Sequence, residues 1–589
     1  MFNLGGALPE VAAASLGSAP ALTLPALLDT LKKAAVDPRI SGVFIKFTGT
    51  ACGWGKLAEV RRALLDFRKS SGKYLVGAFP AELVAHSALA RPDTPALGYM
   101  TIATERSLYL AAACEEVYMP PSSYVSLTGL SVSGTFLRGV FDKVGIEPQI
   151  KRIGKFKSAG DQLQRADMSD AQREVLTSLL EQTYAEWSTG LAEARGKSVA
   201  DVAALLSSAE PPSAELLAAG GWITGTMYAD EMREHLKART GGPASELRSV
   251  NLDRYKFTST AKLGINRGAP VIALLRTAGG ISSGAAGGSG GGITDGEVIA
   301  ALKRIKKDKR IKALLLRIDS PGGDALASDL IWRELRKLGK PVIASQSDVA
   351  ASGGYYMSMA CDTIVAEALT LTGSIGVITG KFNLAELFKK VGYTKEILSQ
   401  GRYAELDTDT RGFTAEEEAY FDARAAASYA SFRDKAALSR GMTPAAMEEL
   451  AQGRVWTGQQ ALERGLVDAT GGYATALALA KKAAGVADDK PVATVDFTPR
   501  KGGLGALFRG AGATMTAALA LGGALAGARA SVSAMGAPQA AMDAVQIGGF
   551  SAGGALAGAP TELAAALGAL LGGAAEDAGC DTGADPLAE

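Results

Sequence analysis

Apolar positions along this chain switch repeatedly between a helical period and short, continuous strand-like runs, which predicts an α/β architecture with a mostly parallel sheet. The stretch from Thr294 to Gly354 shows it best. Thr294 can cap a helix whose Val298, Leu302 and Ile305 fall on one face. The basic run from Lys303 to Lys312 covers the other face and the end of that helix, a solvated surface. Then come a buried strand, Ala313-Leu-Leu-Leu-Arg-Ile, and the turn Asp319-Ser-Pro-Gly-Gly-Asp. A helix through Leu330, Ile331 and Leu335 leads to the strand Val342-Ile-Ala-Ser, the turn Ala350-Ala-Ser-Gly-Gly, and a helix starting near Tyr355. Charge-rich amphipathic helices are expected over 160–197 and 415–440.

The same pattern occurs twice. Asp37-Pro-Arg-Ile-Ser-Gly-Val-Phe-Ile-Lys corresponds to Asp308-Lys-Arg-Ile-Lys-Ala-Leu-Leu-Leu-Arg, and Leu108-Tyr-Leu-Ala-Ala-Ala-Cys-Glu to Tyr355-Tyr-Met-Ser-Met-Ala-Cys-Asp. Leu127-Thr-Gly-Leu-Ser-Val matches Leu371-Thr-Gly-Ser-Ile-Gly-Val, and the segment from Pro212 matches that from Trp456. This divides the chain into a first copy over 1–262, a second over 263–500, and an Ala/Gly-rich tail over 501–589. In that register Ser352 faces Glu105, and Lys157 faces Ala404. Each copy therefore lacks the other's reactive side chain, which suggests one site built by both.

Composition narrows the chemistry. A net charge of +1 argues against a nucleic-acid partner. The four cysteines are sparse; Cys114 and Cys361 occupy matching apolar runs and read as buried thiols, not as a disulfide framework or zinc site. The glycine-rich loop Ser282 to Gly292 lacks the Gly-Lys-Ser/Thr ending of a phosphate cradle. No long leucine-like span crosses a membrane, and the stretches Gly510 to Ala528 and Ile547 to Ala575 read as weak helix or disorder. The first copy opens at Met1 with most of its leading strand missing, so the start is expected to be truncated or misassigned.

Ser352 lies where a strand hands over to a helix, near the helix's unpaired N–H groups. Acyl transfer needs such a place, because negative charge develops beside the nucleophile. Gly353 is one plausible oxyanion donor, and Gly322 or Gly323 in the neighbouring turn another. Either turn alone is ordinary loop geometry; two at adjacent strand ends point to a site. Of the two histidines, His86 lies in an insertion over 82–104 and His235 in a charged helix, where an exposed ring is expected. That turns attention to Lys157, flanked by small and apolar residues, since a desolvated amine can be neutral near pH 7. Lys155 and Lys151 are its rivals.

Ile318-Asp-Ser-Pro-Gly-Gly-Asp, Ala351-Ser-Gly-Gly-Tyr-Tyr, Leu371-Thr-Gly-Ser-Ile-Gly-Val and Gly154-Lys-Phe-Lys-Ser-Ala together resemble the S49 serine peptidases, in the tandem-repeat form of the signal peptide peptidase A family. The resemblance covers roughly residues 1 to 500 and implies a tandem pair of ClpP/crotonase-like α/β domains with additional helices. It further implies a Ser–Lys dyad of Ser352 and Lys157, with Ser374 orienting the amine and Gly353 with Gly323 or Gly322 forming the oxyanion hole. No metal or organic cofactor is implied. Substrates would be apolar peptides such as cleaved signal peptides or membrane-protein fragments, the assembly a homotetramer, and membrane attachment peripheral. Phe156 stands where the family usually has tyrosine. The Ala/Gly bias suits a chloroplast thylakoid protein, with a bacterial inner-membrane protein as the alternative. Two other readings share these features: a crotonase-type acyl-CoA enzyme, and a catalytically inactive peptide-binding scaffold.

Overall fold

The protein is described from a computed structural model covering residues 1–12, 22–78, 103–121, 123–240, 247–260, 263, 269–284, 292–487 and 490–499. His86, most of the 82–104 insertion, the centre of the glycine-rich loop and the Ala/Gly-rich tail lie outside the described residues.

A five-strand parallel run occurs twice. In the first half its order is Phe2–Gly6, Gly42–Thr50, Tyr74–Ala78, Glu116–Met119 and Gly225–Thr226. In the second it is Val271–Ala278, Ile311–Ser320, Val342–Ala351, Thr363–Ala366 and Ala469–Thr470. The second sheet also gains Leu371–Gly373, Val455–Thr457 and Ala493–Asp496. Its central strands are buried on both faces, as parallel strands under helices must be, which is why they read as unbroken apolar runs.

Local details repeat with the strands. Arg39 clasps Asp37 and Arg310 clasps Asp308, both at 2.7 Å, at the mouth of equivalent strands. Lys73 donates to the carbonyls of Ala34 and Asp37, and Lys340 to those of Ile305 and Asp308. The expected Thr294 cap is present: its hydroxyl accepts from Glu297 N–H, and Val298, Leu302 and Ile305 are buried on Asp295–Lys307. The amphipathic helices are Asp170–Ala194 and Ala415–Arg440. Cys114 and Cys361 are buried free thiols.

Two expectations change. His235 is not an exposed ring: it is half-buried, with Nε2 2.7 Å from Glu116 Oε2 and its edge against Tyr118. The strand after Pro341 does not end at Ser345 but runs to Ala351, because Ser345 and Gln346 bond within their own half and Ser347 and Asp348 to the other. Arg317, in the middle of the Ile311–Ser320 strand, is only 1 % exposed. Its guanidinium donates to Glu10 (2.8 Å), Glu59 (2.5 Å), Ser345 (2.9 Å) and Ser347 (3.0 Å), which is the full pairing a buried charge requires. Glu10 and Glu59 belong to the first half, so the two sheets are joined through a satisfied ionic core.

Candidate active site

Ser352 follows the Val342–Ala351 strand and caps the short helix Gly353–Ser358. Its backbone sits at φ 54°, ψ −116°, a left-handed conformation that costs a non-glycine residue about 1–3 kcal/mol. Two bonds hold it there: Ser352 N–H donates to Gly373 O (2.9 Å), and Tyr356 N–H donates to Ser352 O (2.8 Å). The serine side chain makes no capping bond, so the first amides of the helix and the hydroxyl itself are left for other partners.

Lys157 arrives from the first half. Strand Glu147–Ile153 pairs antiparallel with Val377–Asn383 of the second half, Ile153 opposite Val377, and the chain then turns through Gly154 into the lysine loop. Residues 452–454 of the second half grip that loop. Phe156 N–H donates to Gln452 O (2.8 Å), and Gly453 (φ 76°) lies so close that a Cβ on it would stand 2.5 Å from Lys157 Cβ. Only glycine fits there. Arg454 O in turn accepts Ser374 N–H (2.7 Å), while its guanidinium stacks between Phe156 and Trp456.

The result is a buried polar triangle. Lys157 Nζ lies 3.2 Å from Ser352 Oγ, 2.9 Å from Ser374 Oγ and 3.1 Å from Ser374 O. Lys157, Ser352 and Ser374 are all buried. Burial pulls the lysine amine down to about 7, because no carboxylate compensates its desolvation. The rival lysines stand elsewhere: Lys155 is exposed beside Glu174, and Lys151 pairs with Glu418 and Asp422.

The Pro321-Gly322-Gly323 turn packs against Ser352. A Cβ on Gly322 would lie 2.8 Å from both Ser352 Cβ and Gly353 N, so this turn approaches the serine as closely as backbone can. Gly322 N–H donates to Ser320 Oγ (3.2 Å), whereas Gly322 O accepts from Ile281 N–H (2.8 Å) and Asp324 N–H donates to Ile281 O (2.8 Å). Sequence reasoning passed over the charges behind this turn: Glu10, Lys56, Glu59, Arg317 and Asp348. The one signal was an arginine inside an apolar strand, which demanded buried acidic partners.

A family model described as "Peptidase family S49" matches residues 93–210 and 334–487, one segment in each half. A serine protease SPPA, chloroplastic, from Arabidopsis thaliana is 44% identical over 500 residues, covering 84% of this chain and 70% of the relative. Protease 4 of Haemophilus influenzae is 28% identical, covering 64% of this chain and 63% of the relative. A putative signal peptide peptidase SppA of Enterococcus faecium is 37% identical over 187 residues, 31% of this chain and 54% of the relative. On the strength of these matches and of the duplicated α/β fold that carries them, the chain belongs to peptidase family S49 and is a serine-type peptidase.

Proposed function

We propose that Ser352 is the nucleophile and Lys157 the general base of an endopeptidase acting on apolar, extended peptides. The observation that carries this reading is the 3.2 Å approach of a buried lysine amine to a serine hydroxyl across the two halves. A neutral amine has two N–H bonds and one lone pair. Ser374 O and Oγ accept the two N–H bonds, which aims the lone pair at the Ser352 hydroxyl. Lys157 takes the Ser352 proton as Oγ adds to the scissile carbonyl, and returns it to the leaving amine when the C–N bond breaks. Water then gives a proton to the same amine as it attacks the acyl carbonyl, and the amine returns that proton to Ser352 Oγ when the ester C–O bond breaks. Gly353 N–H and Gly323 N–H hold the oxyanion; Gly322 is the weaker candidate because its N–H already serves Ser320. Ser374 orients the amine.

Residues 1–262 and 263–500 act as the two lobes of this site. Signal peptides are suggested as substrates by the name of the Enterococcus relative, and a chloroplast setting by that of the Arabidopsis one. Among the described residues no helix is long and apolar enough to cross a membrane; attachment to the thylakoid surface is the reading we adopt.

A homotetramer is supported by two segments that lie outside any strand. Thr394–Gln400 is the repeat counterpart of Glu147–Ile153 and is almost wholly exposed, with Leu398 at 95%. Leu130–Phe136, near the counterpart of Val377–Asn383, alternates half-buried and exposed residues. Pairing them between copies, as their counterparts pair within one chain, would close a head-to-tail ring.

The deciding experiment is labelling with a fluorophosphonate probe followed by peptide mapping. Modification of Ser352, lost in Lys157→Ala, is the expected result; a labelled residue elsewhere, or unchanged labelling in Lys157→Ala, overturns the dyad. Tight acyl-CoA binding without labelling would favour the crotonase alternative.

A further inference from the structure

The strand that delivers Ser352 is irregular just before it gets there. Along the Ile311–Ser320 strand, Ile318 faces Gln346 but Ser320 faces Ala350, so Ser347, Asp348 and Val349 bulge out of the ladder. Bulges beside active sites re-aim the side chains that follow them. In this one the side chains of Ser347 and Asp348 reach into the other half. Asp348 accepts the N–H of Gly53 (2.8 Å) and of Lys56 (2.7 Å), so a second-half carboxylate caps the first-half helix Trp54–Ser71. Ser347 Oγ donates to Glu10 Oε1 (2.6 Å). Lys56 Nζ, 6% exposed, lies 2.7 Å from Asp319 Oδ2 and 3.5 Å from Asp348 Oδ2. Asp319 Oδ1 accepts Val349 N–H (3.2 Å), replacing the ladder bond that the bulge removes.

Asp319 thus ties the strand ending in the Pro321-Gly322-Gly323 turn to the strand ending in Ser352, three residues before the nucleophile. We infer that Lys56 is a positioning residue for this reaction: by neutralising Asp319 and Asp348 it fixes the spacing between Ser352 and the oxyanion turn. The inference rests on the reading of Ser352 and Gly323 given above. The first half would then supply both the base and the cation that keeps the second half's two strands in step.

The nearby groups define what removing Lys56 would do. Asp319 faces Asp348 from the bulge and Glu10 from the segment after Phe2–Gly6, and Arg317 is already shared by Glu10 and Glu59. Asp348 also faces Arg106 and the Cys52 thiol, so without Lys56 it is Asp319 that loses its one paired cation. Asp319 then has to hold a proton to stay in place, and gives it up as pH rises.

The test is Lys56→Met alone and combined with Asp319→Asn, assayed in full-length protein on a fluorogenic apolar peptide, with thermal denaturation alongside. Lys56→Met is expected to lower kcat roughly 10²-fold, with KM changed less than about threefold, as for a displaced oxyanion donor. Its activity should fall as pH rises and the unpaired Asp319 ionises, the reverse of the parent's trend. The double variant removes the unpaired charge at position 319, while Asp348 keeps the backbone N–H groups of Gly53 and position 56, and should recover most of the lost kcat and the parent's pH trend. Unchanged kcat and pH profile in Lys56→Met overturns the inference, as does a loss that merely tracks the folded fraction or is not recovered in the double variant. If Ser352→Ala retains turnover, the reading of the site itself is what fails.

Discussion

The turn at Ser352 and its repeat counterpart at Glu105 share a position in the fold and differ in almost everything else. Glu105 opens the helix Glu105–Ala111 behind a relaxed Thr104 cap (φ −115°) whose hydroxyl is bonded in a capping box with Ser107. Its carboxylate accepts the N–H groups of Thr128 (2.7 Å) and Gly129 (2.9 Å). Every polar group there has a local partner. At Ser352 the backbone is left-handed, the side chain caps nothing, and the hydroxyl's partner is a lysine from the other half. The base loops tell the same story in mirror image. Gly154 and Gly401 share a φ of 115° and 116°, yet Lys157 is buried while Ala404 is exposed. Duplication kept the backbone, while the strained serine and the desolvated amine each occur in one copy alone.

Substitutions and pH profiles would break or sharpen this asymmetry. The largest effect is expected from Ser352→Ala, which should lower kcat at least roughly 10³-fold. Adding Glu105→Ser to that variant should restore nothing, since Ala404 stands where a base is needed; recovered turnover would show the copies to be interchangeable. Lys157→Met should lower kcat roughly 10²–10⁴-fold, the usual share of a general base. In the parent, kcat/KM should climb as pH rises through about 7, where the buried amine loses its proton, and then level off. A profile flat from about pH 6 to about pH 9 would remove Lys157 as the titrating base. Ser374→Ala keeps the base but loses one of its orienting bonds, so roughly a tenfold loss of kcat is expected.

The remaining effect concerns stability, and its sign is opposite. Lys157 titrates near 7 when folded and near 10.5 when unfolded. Below about pH 7 both states are protonated and the native state carries the full desolvation penalty; between about 7 and about 10.5 the unfolded state binds more protons, so stability rises with pH. Lys157→Met should therefore stabilise the fold by about 2–4 kcal/mol at pH 6 and by less at pH 9, read from denaturant midpoints.

Much of this site was legible in the sequence, because a duplicated chain carries its own control: a residue absent from one copy is marked without any other sequence. Helix 415–440 and the Thr294 cap were legible for a simpler reason, since period and capping chemistry are local. What stayed hidden depends on partners on other elements of the fold, most of them more than a hundred residues away. Gln346-Ser-Asp looks like the end of a strand until Glu10, Lys56 and Arg317 are seen to satisfy it. His235 looked exposed because Glu116 and Tyr118, which shelter it, lie on a strand far upstream.

The grip of residues 452–454 on the lysine loop has a consequence for how the molecule comes into being. A ribosome releases Lys157 long before Ser352, and the glycine that seats the amine emerges later still. Under the proposed dyad, a nascent chain would carry an idle base, then an idle hydroxyl, and would acquire cutting power only when its second lobe has closed on the first.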